Sequence, residues 1–187
     1  MGQGSGVEEL DSAVVLITGV MASGKSTVAE LLCGRLPRAV HVRGDAFRRM
    51  VVSGREELLP EETAEARAQL ELRYRLSALV ADAYASDGWT AVVQDIILGE
   101  DLLRYVGGVR TRPLYVVVLA PSKAAVRSRE AGRPKTGYGV WTVGALDRSL
   151  RVDTPDIGLW LDSSEQTADE TVSAILARLP EARIDSC

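Results

Sequence analysis

Short, continuously apolar runs alternate with amphipathic stretches along this chain. The runs Ala13–Thr18, Ala39–Val42, Thr90–Asp95, Leu114–Leu119 and Gly158–Asp162 are mostly apolar at consecutive rather than alternate positions. Strands covered on both faces read this way, so these runs predict five parallel β-strands. Helical patterns fall between and after them, over roughly 25–36, 45–52, 62–86, 100–106, 122–131, 142–151 and 167–179. The last opens on Thr167-x-x-Glu170, a capping box. In the long helix, Leu72, Leu76, Leu79 and Ala83 recur at helical spacing and predict a core-facing stripe. The alternation predicts an α/β fold, a three-layer α/β/α sandwich on a five-stranded parallel sheet. Ligands then bind at the carboxyl ends of the strands.

Two segments exceed the minimal alternation. Residues 53–86 insert a polar loop and a long helix between the second and third strands, a candidate cover on the substrate side. Residues 132–141 combine three glycines with Arg133 and Lys135, which suits a lid within a wider 127–141 segment. Residues 1–12 read as a flexible lead-in, and 13–187 as a single domain.

Composition narrows this picture. A chain of 187 residues with 46% hydrophobic and 26% charged residues suits one domain with a sizeable core. Its net charge of −4 offers no basic footprint for nucleic acid. No apolar run nears the ~20 residues needed to span a membrane, and the start lacks the pattern of a signal peptide. Cys33 and Cys187 have no metal-like spacing, which fits a reducing cytoplasm. The expectation is a cytoplasmic protein, monomer or homodimer, with no nucleic-acid or membrane partner. Only three of the 22 basic residues are lysines, so Lys25 and Lys135 stand out.

Gly19-Val-Met-Ala-Ser-Gly24-Lys25-Ser26 directly follows the first strand and satisfies G-x-x-x-x-G-K-[ST]. In such a loop the amides of Gly19, Ala22, Ser23, Gly24, Lys25, Ser26 and Thr27 turn toward phosphates. Lys25 reaches the β- and γ-phosphates, and the Ser26 hydroxyl ligates Mg²⁺. After the second strand comes Arg43-Gly44-Asp45-Ala-Phe-Arg48, which places Asp45 on the same edge. A carboxylate there can take the proton of an incoming hydroxyl, or simply cap the helix that it opens. The third strand ends Gln94-Asp95, so Asp95 can hold Mg²⁺ or orient the acceptor. Arg43 and Arg48 are further candidates for contact with the acceptor. Beyond the fourth strand, Arg133 suits charge stabilisation of a transferring phosphoryl group, and Arg127 suits stacking on a nucleotide base. Arg129 reads as a solvated residue, and the lone His41 as structural.

Together, Gly19–Ser26, Gly44-Asp45-x-x-Arg48, Gln94-Asp95 before Ile-Ile-Leu-Gly99, and the Arg127/Arg133 pair resemble the chloramphenicol phosphotransferase-like P-loop kinases. The resemblance covers roughly residues 13–179. It implies a fold like that of nucleoside monophosphate and shikimate kinases, ATP as donor with Mg²⁺, and Asp45 as catalytic base. It also implies a small-molecule hydroxyl as acceptor, an antibiotic or nucleoside-type natural product. Residues 53–76, where acceptor specificity would lie, depart from the pattern. The Gly-Asp-x-x-Arg element is equally similar to adenylylsulfate kinases and to zeta-type toxins acting on nucleotide sugars. A nucleotide-binding regulatory module is the alternative outside the kinases, although no guanine-specific N-K-x-D element is present.

Overall fold

A computed structural model describes residues 9–59, 61–132 and 141–185. Strands β1 (Val14–Gly19), β2 (Ala39–Arg43), β3 (Thr90–Gln94), β4 (Leu114–Leu119) and β5 (Leu159–Leu161) run parallel in the order β2-β3-β1-β4-β5. A two-residue strand, β6 (Arg183–Ile184), adds antiparallel to the start of β4. Central β1 and β4 are buried at all six positions, as their unbroken apolar runs require.

Alternation along β1 splits the core into two layers. Val14 and Leu16 face one layer, built with α3 (Ala64–Ser86), α4 (Asp101–Gly108) and α5 (Lys123–Ala131). Val15 and Ile17 face the other, built with α1 (Lys25–Gly34) and α7 (Ala168–Ala177). The remaining helices are α2 (Gly44–Met50), α6 (Val143–Arg148), which runs on into a π-helical turn at Ser149–Asp153, and α8 (Leu179–Ala182). The expected sandwich is therefore present. The capping box also forms, with Thr167 and Glu170 satisfying each other's backbone N–H.

The stripe expected on α3 is a correction. Leu72, Leu79 and Ala83 are exposed, while Ala66, Ser77, Ala78, Ala81 and Ala85 are buried. Small side chains bring the helix close to the sheet, and leucines at those positions would overpack it. Residues 9–12 are not a free lead-in, because Leu10 is fully buried. Thr90 Oγ1 donates to Leu10 O at 2.6 Å and the Tyr115 hydroxyl to Glu9 O at 3.1 Å. Residues 1–8 of that segment, most of the expected lid (133–140) and Cys187 lie outside the described residues. Among the described residues no helix is long and apolar enough to cross a membrane.

Candidate active site

The loop between β1 and α1 has the conformation its sequence demands. Gly24 sits at φ 98°, a region open to glycine, and the first turn of α1 follows with its N–H groups toward the loop. Lys25 is buried inside the ring, where its Nζ donates to Val20 O at 2.6 Å. Ser26 Oγ donates to Gln94 Oε1 at 3.1 Å across the end of β3.

Strand β3 ends at Gln94, so Gln94 faces Ser26 and Asp95 lies one residue beyond. Asp95 is 1% exposed and its carboxylate takes both arms of the Arg73 guanidinium, with Nε to Oδ2 at 2.8 Å. It also accepts from Ile96 N at 2.7 Å. A carboxylate engaged in this way ties β3 to α3. Gly44 explains the tight fit, since a Cβ there would run into the Asp95 carboxylate.

Asp45 stands in the first turn of α2, where the helix dipole favours a carboxylate. It does not cap the helix; Arg43 holds that position. Its side chain is half-exposed and pairs with Arg49 at 3.0 Å. Burial pulls the Arg73 guanidinium below its ordinary value, while Asp45 acts through space in the opposite sense. Arg43 turns away from this cluster, to Glu30 on α1 at 3.1 Å and to His41 Nδ1. Its expected role toward an acceptor finds no support in that placement. Burial, then Arg43, lowers the His41 pKa.

Two cavities flank the phosphate loop. One, of about 280 Å³, is lined by Ala22, Ser23, Gly24 and Thr27 of the loop and by Arg129, Ser163, Gln166 and Thr171. Arg129 spans it, donating to Ser23 O at 3.3 Å and to Ser163 O at 2.6 Å. Arg127 is exposed and does not line this cavity, because two residues along a helix turn the side chain by about 200°. Arg129, read from sequence as solvated, takes the place expected of Arg127. Ser163 is 2% exposed, and its Oγ has no partner among the described residues.

The second cavity, of about 260 Å³, lies between α2, the 51–58 segment and α3. Met21 of the phosphate loop, Phe47, Leu58, Leu70, Leu76 and Trp141 form its apolar wall, with Arg48, Arg73, Glu56 and Glu57 among them. Arg48 pairs with Glu57, and Trp141 Nε1 donates to Leu58 O at 3.0 Å. Lys25 and Ser26 lie in the loop itself, and Arg48, on the helix that Asp45 opens, lines a cavity together with Met21 of the loop. Arg73 was legible only as one of several arginines available to an acceptor phosphate, and Gln94, Arg129 and Trp141 escaped the sequence reading of roles. Only the position of Gln94 at a strand end carried a signal. Arg133 and Lys135 lie outside the described residues.

The shape of the chain is shared with known kinases. It superposes on a sugar kinase from Janibacter sp. HTCC2649 with a TM-score of 0.65, 21% identity, and 91% of this chain and 95% of that one covered. The Deinococcus radiodurans tunicamycin resistance protein gives 0.65 at 15% identity, covering 93% and 99%. The Mycobacterium tuberculosis APS kinase, solved in complex with AMPPNP and APS, gives 0.64 at 23% identity, covering 90% and 97%. No curated protein matches the chain as a relative. At these identities the likeness establishes the P-loop kinase-like fold. A closer family than the phosphate-loop fold, such as the chloramphenicol phosphotransferase-like group, is not among these matches. The AAA domain family matches residues 14–152, well over half the sequence, and the chain therefore belongs to the AAA domain family.

Proposed function

We propose that the protein is an ATP- and Mg²⁺-dependent phosphotransferase acting on an alcohol hydroxyl of a small molecule. An antibiotic or nucleoside-type natural product is the acceptor class we favour. The observation that carries this reading is the pair of cavities on either side of one phosphate loop, with Ala22–Gly24 on one wall and Met21 on the other. A nucleotide switch has no use for the second cavity; a kinase needs it for the acceptor.

The residues fit the donor. The orphaned Ser163 hydroxyl and Gln166 can meet a nucleotide base, and Arg129 lies along the same wall. Lys25 and the loop amides hold the β- and γ-phosphates. They fit Mg²⁺ as well: Ser26 Oγ and Gln94 Oε1 are oxygen donors, and this ion keeps waters and phosphate oxygens for its other positions. Mg²⁺ held there would neutralise charge on the phosphates of the donor.

In the transfer the acceptor oxygen bonds to the γ-phosphorus while the bond to the β-bridging oxygen breaks, its electron pair leaving with ADP. Asp45 accepts the hydroxyl proton. It sits half-exposed on the first turn of the helix that also brings Phe47 and Arg48 to the acceptor cavity. Arg133 is proposed to close over the transferred group. The test is ADP release from Mg·ATP against hydroxylated antibiotics, nucleosides and common metabolites, with products checked by mass. Acceptor-dependent ADP release with gain of one phosphoryl group supports the reading. ATP hydrolysis at one rate with every acceptor, and no phosphorylated product, refutes it.

A further inference from the structure

The outer face of α3 is apolar and exposed. Leu72, Leu76, Leu79 and Ala83 recur at intervals of four, three and four, the rhythm of a helix that packs on another helix. At about 100° per residue they fall within an arc of roughly 60°, turned away from Ser77, Ala81 and Ala85, which are buried toward the sheet. Leu72 is 39% exposed and Leu79 49%. Ala83 is exposed too, and Leu76 partly so. A ridge of this kind on a helix of 23 residues is a contact surface for a second helix.

The ridge is complementary to itself. When two copies lie antiparallel about a two-fold axis between residues 77 and 78, Leu76 meets the partner's Leu79 and Leu72 meets the partner's Ala83. Arg75 and Asp82 flank the ridge on one side, and the same axis sets each Arg75 opposite the partner's Asp82. Arg75 is exposed, and among the described residues no carboxylate pairs with it. The Asp82 carboxylate is fixed by Arg110 N, Thr111 N and the Thr111 hydroxyl. Its Oδ2 takes one of these bonds, from Arg110 N at 3.1 Å, and keeps a lone pair for a guanidinium. A parallel pairing would instead set Arg75 against the partner's Val80, and Asp82 against the partner's Asp87. Charge therefore selects the antiparallel arrangement.

We propose that two copies of this chain associate through α3, antiparallel, with Leu76 and Leu79 at the centre and an Arg75–Asp82 pair between protomers on either side of the axis. From Leu72 to Ala83 the ridge is about 17 Å long, short for an interface, so the association is reversible and lies toward the micromolar end of the range. Leu72 and Leu76 also line the second cavity, so the partner's helix runs along its rim.

The test is sedimentation velocity of the full chain from roughly 1 to 500 µM. The mass is expected to rise from one protomer to two across that range. Leu79→Glu, at an exposed position, should weaken the dimer at least about tenfold, while its monomer melts within about 2 °C of the wild-type monomer. Arg75→Glu sets a like charge against the partner's Asp82 and should weaken the dimer about tenfold, less so at high salt. Leu31→Glu, at a residue 37% exposed on α1 in the other layer, should leave it unchanged. Register is read by disulfide trapping in a Cys33→Ala/Cys187→Ser background. There, a Leu76→Cys chain mixed with a Leu79→Cys chain should cross-link to its opposite number faster than either does to itself. A chain that stays monomeric throughout overturns the proposal. So does a dimer that survives Leu79→Glu or Arg75→Glu, or that Leu31→Glu weakens equally. Trapping that favours like with like also overturns it. None of these readouts uses turnover, so the kinase reading stands or falls separately.

Discussion

On the proposed reading Asp45 serves chemistry and Asp95 stability, and replacing each with asparagine separates the two. Asp95→Asn removes a buried carboxylate from a two-pronged bond to Arg73, whose side chain is 16% exposed. Removing one partner of a buried pair strands the other charge, at a cost of about 3–5 kcal/mol. A domain of this size holds roughly 5–15 kcal/mol in all, and each 1 kcal/mol moves Tm by about 2–4 °C. The expected fall in Tm is therefore about 6–20 °C. Asp45→Asn breaks only the exposed pair with Arg49, worth about 0.2–1 kcal/mol, so Tm should fall by less than about 4 °C. Transfer should nevertheless drop by about 10²–10⁴-fold through loss of the base, with ATP binding intact. The assays are a thermal melt followed by circular dichroism, a nucleotide-binding titration and acceptor-dependent ADP release. A wild-type melt for Asp95→Asn refutes the tie. Near-normal turnover in Asp45→Asn removes it as the base.

The donor cavity predicts that Arg129→Ala raises KM for ATP by about tenfold or more, because it releases Ser23 from Ser163. Arg127→Ala should stay within about twofold, and the reverse ranking in initial-rate kinetics would return the role to Arg127. Gly44→Ala pushes a methyl group into the Asp95 carboxylate and should cost about 1–3 kcal/mol in a denaturant melt; a neutral result contradicts the packing. The His41 pKa is lowered in the folded chain, so the unfolded chain binds more protons between the lowered folded pKa and about 6.5. Stability should rise with pH through that window and be lost as pH falls below about 6.5, with a slope of at most ~1.4 kcal/mol per pH unit from this residue. His41→Gln should flatten that part of a Tm-against-pH curve; an unchanged slope removes His41 as its source.

Much of the fold was legible in the sequence because its signals are local. Unbroken apolar runs mark strands buried on both faces, and β1 and β4 are buried along their whole length. Gly19–Ser26 dictates its own loop, and Thr167 with Glu170 dictates a helix start. Periodicity failed where packing distance decides. On α3 the leucines looked like the core stripe, yet the alanines face the sheet and Leu72 and Leu76 border the second cavity.

Within the site, the sequence by itself determined the phosphate loop, because it is one contiguous segment whose backbone conformation its glycines set. It also placed Asp45 and Asp95 on the correct sheet edge. That Asp95 is buried against Arg73 while Asp45 stays half-exposed beside Arg49 was decided only in three dimensions. Arg73 lies 22 residues from Asp95 and meets it only when α3 crosses the end of β3. Arg129 reaches Ser23 across 106 residues, and Trp141 reaches Leu58 across 83. Partnership between distant side chains leaves no periodic trace in the chain. The pairing of Arg48 with Glu57 and of Arg73 with Asp95 on the wall of the second cavity depends on such partnerships, so it belongs to the tertiary structure.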